Sequence, residues 1–270
     1  MKKLSFLISF LTISTGIFSA LNQPASAVTV EECSGIPDGD DPCLIEPTSY
    51  KIDTYRVDIC QRDPFPSTSS SADYAGAGCM TLFNGSGNLY RGQLANSNNY
   101  ILPVTGRENI KPGTYKYLTM VLNNGFISSG KYTVGSTTWR TAGTDESNIV
   151  TTSGDPVEST VELSNWRGSD DSDNPYCDNN GGTASRCEVN YNGYELTGIG
   201  LGSDFIATSG EGVTYLFYMA ELATPITLKA GADGYFDITV DNGLELYGNG
   251  TSVESMGVAP FIFQVTYSDE

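Results

Sequence analysis

The sequence predicts an all-β protein: an antiparallel β-sandwich with disulfide-stapled loop insertions. Three observations carry this. Helical periodicity is nearly absent. Gly (30 residues), Ser, Thr and Asn punctuate short segments rich in Tyr, Val, Ile, Phe and Thr, the strand-and-turn pattern of sandwiches and barrels. Six cysteines fall into three sequential couples, each bracketing a stretch of turn residues.

Residues 1–27 read as a secretory signal peptide. Lys2 and Lys3 form a charged start, an apolar stretch runs from Leu4 to Phe18, and Ala25-Ser26-Ala27 supplies a small-x-small cleavage site. Ser5, Ser9, Thr12, Ser14, Thr15 and Gly16 interrupt the stretch, which disfavours a membrane-spanning helix of about 20 apolar residues. Cleavage leaves 243 residues with 12 basic and 32 acidic side chains, a net charge of −20. Such a surface repels phosphate backbones and anionic membranes, so no nucleic-acid partner and no membrane insertion are expected. The expected address is extracellular, at the cell surface or in the periplasm.

An even cysteine count behind a signal peptide implies disulfides. Six cysteines allow 15 connectivities. The favoured reading pairs neighbours: Cys33 with Cys43, Cys60 with Cys79, and Cys177 with Cys187. Zinc would want C-x₂₋₄-C spacings or His ligands, and the chain has neither.

Residues 28–49 are expected to form an acidic, loop-like lead-in, and 50–270 a single sandwich domain. Tyr50–Cys60 is the first convincing strand, with Tyr55, Val57 and Ile59 assigned to one face. Cys79–Phe83 and Tyr100–Val104 follow. In IKPGTYKYLTMVL, Pro112-Gly113 reads as a turn; after it Leu118, Met120 and Leu122 alternate with Tyr117, Thr119 and Val121, so both faces carry apolar groups, which predicts a central strand. Asn123-Asn124-Gly125 reads as a tight turn. Further strands are expected at 157–163 and 186–191, flanking a polar excursion at 164–188. GVTYLFYMA, TPITLK, GYFDITV and PFIFQVTY read as four more, with a hairpin across Asp241-Asn242-Gly243. Leu118, Met120, Phe217, Ile238 and Phe263 are the expected core.

The order of PGTY with L-x-M-x-L (Pro112 to Leu122), then TPITLKAGADGYFDITVDNGLEL (Thr224 to Leu246), then a terminal alternating strand resembles bacterial secreted Ig-like or transthyretin-like β-sandwich modules. The likeness spans roughly Tyr50 to Tyr267. It implies a fold and an extracellular address, and it transfers no functional residue.

Zero His removes Ser-His-Asp and Cys-His machinery and His-ligated metals together. No nucleophile elbow, S-x-x-K or P-loop occurs, so the reading is non-enzymatic with no catalytic residue assigned. A hydrolase of unfamiliar type, using two carboxylates, is the third-ranked alternative. Asp170, Asp171, Asp173 and Asp178, in the acidic run after Trp166, could offer calcium its hard oxygens, although solvated turns are the commoner use of such runs. Trp139 and Trp166 lie in polar surroundings and are the candidate stacking residues of a carbohydrate-binding module, weighed against the commoner role of covering a core edge. The best-supported function is a structural or adhesive protein of the bacterial cell surface or an extracellular filament, with itself or an extracellular glycan as partner.

Overall fold

In the computed structural model the described residues are 27–28, 31–66, 68–85, 90–93, 100–102, 111–144, 146–161, 186–191, 194–208, 212–229, 233–239, 242–259 and 262–268. Among them there is no helix and the chain is almost wholly β. The first seven strands are β1 (Ala27–Val28), β2 (Asp38–Ile45), β3 (Ser49–Cys60), β4 (Met80–Asn84), β5 (Tyr90–Gln93), β6 (Tyr100–Leu102) and β7 (Gly113–Ser129). Then come β8 (Lys131–Val134), β9 (Thr137–Thr144), β10 (Ile149–Val150), β11 (Val157–Val161), β12 (Arg186–Tyr191) and β13 (Tyr194–Leu201). The chain finishes with β14 (Tyr215–Leu228), β15 (Asp233–Thr239), β16 (Leu244–Asn249), β17 (Val253–Val258) and β18 (Ile262–Ser268).

The long β7 organises the main sheet. One of its edges pairs with β3 from Ser49 to Cys60. The other pairs with β14 up to Asn123 and with β11 from Phe126. Beyond β14 lie β13, β12 and β1, and beyond β11 lies β9, which also holds β8 and β10. Pairing is antiparallel except for β1 with β12 and β9 with β11. Among the described residues there are also two three-stranded sheets, one ordered β18-β15-β6 and the other β17-β16-β2.

Alternation along β7 explains its central place, because successive side chains of a strand point to opposite faces. Leu118, Met120 and Leu122 enter a large core with Tyr50, Ile52, Val57, Ile59 and Leu216. Val121 turns the other way, into a cluster with Phe65, Ile199, Leu201, Phe217 and Met219. Both faces of the sheet centre are thus dry. Leu118, Met120 and Phe217 are fully buried as expected; the side chains of Ile238 and Phe263 lie outside the described residues. A third, smaller core joins the β17-β16-β2 sheet to the β8–β9 hairpin.

Several local expectations need correction. The lead-in is no loop: β2 pairs with β16 along Asp38–Ile45, and Leu44 reaches the large core. Asn123-Asn124-Gly125 does not turn the chain. All three residues stand opposite Asp53 alone in the β3 ladder, an irregularity at the place where β7 exchanges β14 for β11. The Asn124 amide donates to Thr214 O at 3.0 Å and its side chain to Val213 O at 3.2 Å, so β14's departure leaves no orphan there. GVTYLFYMA and TPITLK form one strand, β14, whose register shifts between Glu221 and Ile226. Pro225 falls in that shift, where a missing N–H costs no ladder bond. Asn242 does take positive φ (54°), yet the strands around it form no hairpin: β15 belongs to one small sheet and β16 to the other.

Candidate functional site: a surface aromatic cluster beside a buried ion pair

The face of the main sheet that carries Val121 and Phe217 is roofed by residues 61–66 and 68–79, closed at their root by the Cys60–Cys79 disulfide. Phe65 is its anchor, 1% exposed, with its ring 5.2 Å from that of Phe217. Asp63 Oδ1 accepts the Phe65 N–H at 2.7 Å, a local turn that aims the ring downward. Arg62 donates from its guanidinium to Gly76 O, and Arg62 N–H to Ala77 O, closing the segment on itself.

A bulge in β3 decides what the roof meets. Thr54 pairs with Leu122 and Arg56 with Val121, so Tyr55 is an extra residue and joins Arg56 on the roofed face. Tyr55 therefore packs with the Phe217 cluster, whereas Val57 and Ile59 return to the large core. The expectation that the three share one face fails because strict alternation breaks at this one insertion.

Arg56 and Asp58 form the electrostatic part of this region. Arg56 Nε and Nη2 donate to the two Asp58 oxygens at 2.6 and 2.8 Å, a two-pronged contact. Thr81 Oγ1 donates to Asp58 Oδ1 at 2.6 Å and accepts from Arg56 at 3.1 Å. The Tyr74 ring, carried by the roof, lies 3.8 Å from the guanidinium carbon. Burial works against the Arg56 charge, but the Asp58 hydrogen bond and charge more than reverse it and raise its pKa. Burial, then the Asp58 charge, push the Tyr74 phenol well above its ordinary value. This group clamps the roof to the sheet.

Beside the clamp, three rings meet at the surface. Phe205 and Tyr215 stack with centroids 4.7 Å apart and planes 7° from parallel. Tyr55 lies 5.2 Å from Phe205 and 5.6 Å from Tyr215. All three are part-exposed, and the adjoining Ile206 is 46% exposed. Phe205 holds φ at 62°, in the left-handed region that a bulky side chain rarely adopts. The turn around it enforces this. Phe205 N–H donates to Gly202 O, Gly202 N–H to Ile206 O, and Ile206 N–H to Asp204 Oδ1 at 3.2 Å. Ala207 N–H then ties the turn to Ser70 O of the roof at 2.8 Å.

A separate pair of carboxyls sits on the β16 sheet. Glu245 is half-buried near the start of β16, and Tyr247 donates to its Oε2 at 2.8 Å. Glu146, from the turn between β9 and β10, reaches over Gly257, its Oε2 3.1 Å from where a Cβ would stand. Gly257 faces Glu245 across the ladder, which brings the two acids together. Burial raises the Glu245 pKa, the Tyr247 hydrogen bond opposes this, and the Glu146 charge adds to it. Such an acid holds its proton longer than an ordinary carboxyl.

The residues singled out in the sequence are placed as follows. Trp139 faces Tyr132 in the β8–β9 hairpin and is 8% exposed, packed with Ile45, Leu244, Leu246, Val253 and Met256. It is a core residue and offers no open ring face. Trp166, Asp170, Asp171, Asp173 and Asp178 lie outside the described residues, as does Cys177; Cys187 is described only as part of β12. Cys33–Cys43 and Cys60–Cys79 are bonded as expected. Among the described residues no group of three or more His, Cys, Asp or Glu could hold a metal. Sequence reasoning missed Phe205 and Tyr215 entirely, since nothing in GSDFIA marks Phe205 as left-handed.

Comparison with protein-family models, curated proteins and solved structures finds no match to this chain.

Proposed function

We propose that this chain is an exported, non-catalytic structural or adhesive protein of the bacterial cell surface or of an extracellular filament. The observation that carries this reading is the roof over the main sheet, held by a disulfide at its root and by the Arg56–Asp58–Tyr74 clamp in its middle. A cover locked covalently and electrostatically resists local opening, and local opening is what exposes a chain to proteolysis outside the cell. Two disulfides fit an oxidising, extracellular-type compartment. The acidic sequence keeps such a protein soluble during export. The sandwich arrangement and the Ig-like or transthyretin-like likeness belong with this proposal.

The test is to purify the protein from the culture medium and the cell envelope of an expressing bacterium and image it by negative-stain electron microscopy. Envelope-bound or filamentous material, starting at Val28, supports the reading. Retention in the cytoplasm with reduced cysteines overturns it.

A second reading, a hydrolase working through two carboxyls, takes its support from Glu245 and Glu146. A proton-holding acid beside a second carboxyl is the arrangement that acid–base hydrolysis of glycosides uses. Hydrolysis of any polysaccharide that Glu245→Gln abolishes would move this reading to first place.

A further inference from the structure

The cluster of Tyr55, Phe205 and Tyr215 is built at a cost. A left-handed bulky residue carries about 1–3 kcal/mol of backbone strain and persists only where its surroundings over-determine it. Here four hydrogen bonds impose it. The Tyr55 bulge is a second irregularity, and bulges recur where a side chain must be re-aimed. Both irregularities have one outcome: three rings gathered at a part-exposed position on the margin of the Phe217 core.

From this we infer that Tyr55, Phe205 and Tyr215 form a stacking site for a sugar ring of a neutral polysaccharide. The inference names the partner class of the adhesive reading and rests on it. Phe205 and Tyr215 cover one face of each other and Tyr55 is tilted 47° and 51° to them, so the C–H face of a pyranose would lie on an outer ring face of this stack, while the phenols keep a polar tip. Among the described residues neither the Tyr55 nor the Tyr215 hydroxyl has a hydrogen-bond partner, so both can serve a ligand's hydroxyls. Asn123, half-buried opposite Tyr215 in the ladder, adds an amide at the rim. Asp204 spends one oxygen on Ile206 N–H and leaves a carboxylate beside Phe205. That carboxylate, on a chain of net charge −18, repels an anionic glycan and leaves neutral ones.

Affinity electrophoresis of the full chain through gels containing β-glucan, xyloglucan, galactomannan or dextran, with alginate as the anionic contrast, tests the site. Retardation in at least one neutral gel, weakened tenfold or more in Phe205→Gly, supports it. Gly at 205 accepts the left-handed φ without strain, so this variant removes the ring and keeps the turn. Tyr215→Ala, checked for folding by its melting curve, should lose retardation likewise, whereas Ile206→Ser should keep it. No retardation in any neutral gel, retardation equal in alginate, or retardation that survives Phe205→Gly overturns the site. Shortening of the polysaccharide in the gel would instead overturn the non-catalytic reading and leave the site standing.

Discussion

Arg56 and Asp58 stand two residues apart on one strand and close a two-pronged ion pair in which Asp58 is 1% and Arg56 27% exposed. The asymmetry matters. Asp58 is out of water and depends on its partners, whereas Arg56 keeps a path to solvent along the edge of the roof.

Arg56→Met should therefore be the costlier single change, because it strands a buried carboxylate. Loss of one partner of a buried pair costs about 3–5 kcal/mol. Asp58→Asn should cost less, since Arg56 can hydrate. Changing both to apolar residues should recover much of the loss. Urea midpoints of the three variants check this, and equal single-variant losses would refute the stated asymmetry.

Removing the Cys60–Cys79 bond in a double alanine variant should cost about 3 kcal/mol, the chain-entropy value for closing a loop of this size. The dye ANS should then bind, because Phe65 no longer seals Phe217 and Met219. An unchanged melting temperature with no dye binding would mean that the clamp alone holds the roof.

Leu118→Ala and Phe217→Ala should each cost about 2–5 kcal/mol, since each removes a fully buried side chain from one of the sheet's two cores. The clusters share no residue, so the losses should add to within about 0.5 kcal/mol in the double variant. Thermal or urea unfolding decides it.

How far the sequence could be read depends on whether its signals are local. Central placement of β7 was legible because both of its faces are apolar over consecutive positions, Tyr117 to Leu122. The two described disulfides were legible because each joins two consecutive cysteines across a stretch of turn residues. Turn chemistry misled wherever a long-range partner overrode it. Asn123-Asn124-Gly125 offers a turn, but β3 continues alongside and keeps β7 extended. Asn242 supplies its positive φ, but β16 pairs with β17 and β2, and β15 with β18 and β6. The lead-in looked like a loop because half of the evidence for β2 is β16, some 200 residues away. The aromatic cluster was illegible for the same reason: Tyr55 reaches Phe205 and Tyr215 only through a bulge that no residue type announces.

Glu245 has a raised pKa in the fold, mainly from burial, and the ordinary carboxyl value once unfolded. Between those values the folded protein holds a proton that the unfolded chain has released. Stability linked to this group must therefore rise as pH falls through the raised folded pKa, and level off below the ordinary value. Other acids contribute their own slopes, so the measurement is a difference: urea midpoints of the protein and of Glu245→Gln from pH 7.5 to 4. The variant should be the more stable at neutral pH, and the gap should close as the pH drops. Tyr247→Phe removes the hydrogen bond that favours the ionised form and so raises the Glu245 pKa further; its gap from Glu245→Gln should start wider at pH 7.5 and begin to close at a higher pH. Glu146→Gln removes a like charge and should narrow the gap at pH 7.5. A Glu245→Gln difference that is flat across the range would show that Glu245 titrates as an ordinary surface acid. The carboxyl pair would then lose its part in the hydrolase reading too, because an acid that gives up its proton near the ordinary value cannot deliver one at neutral pH.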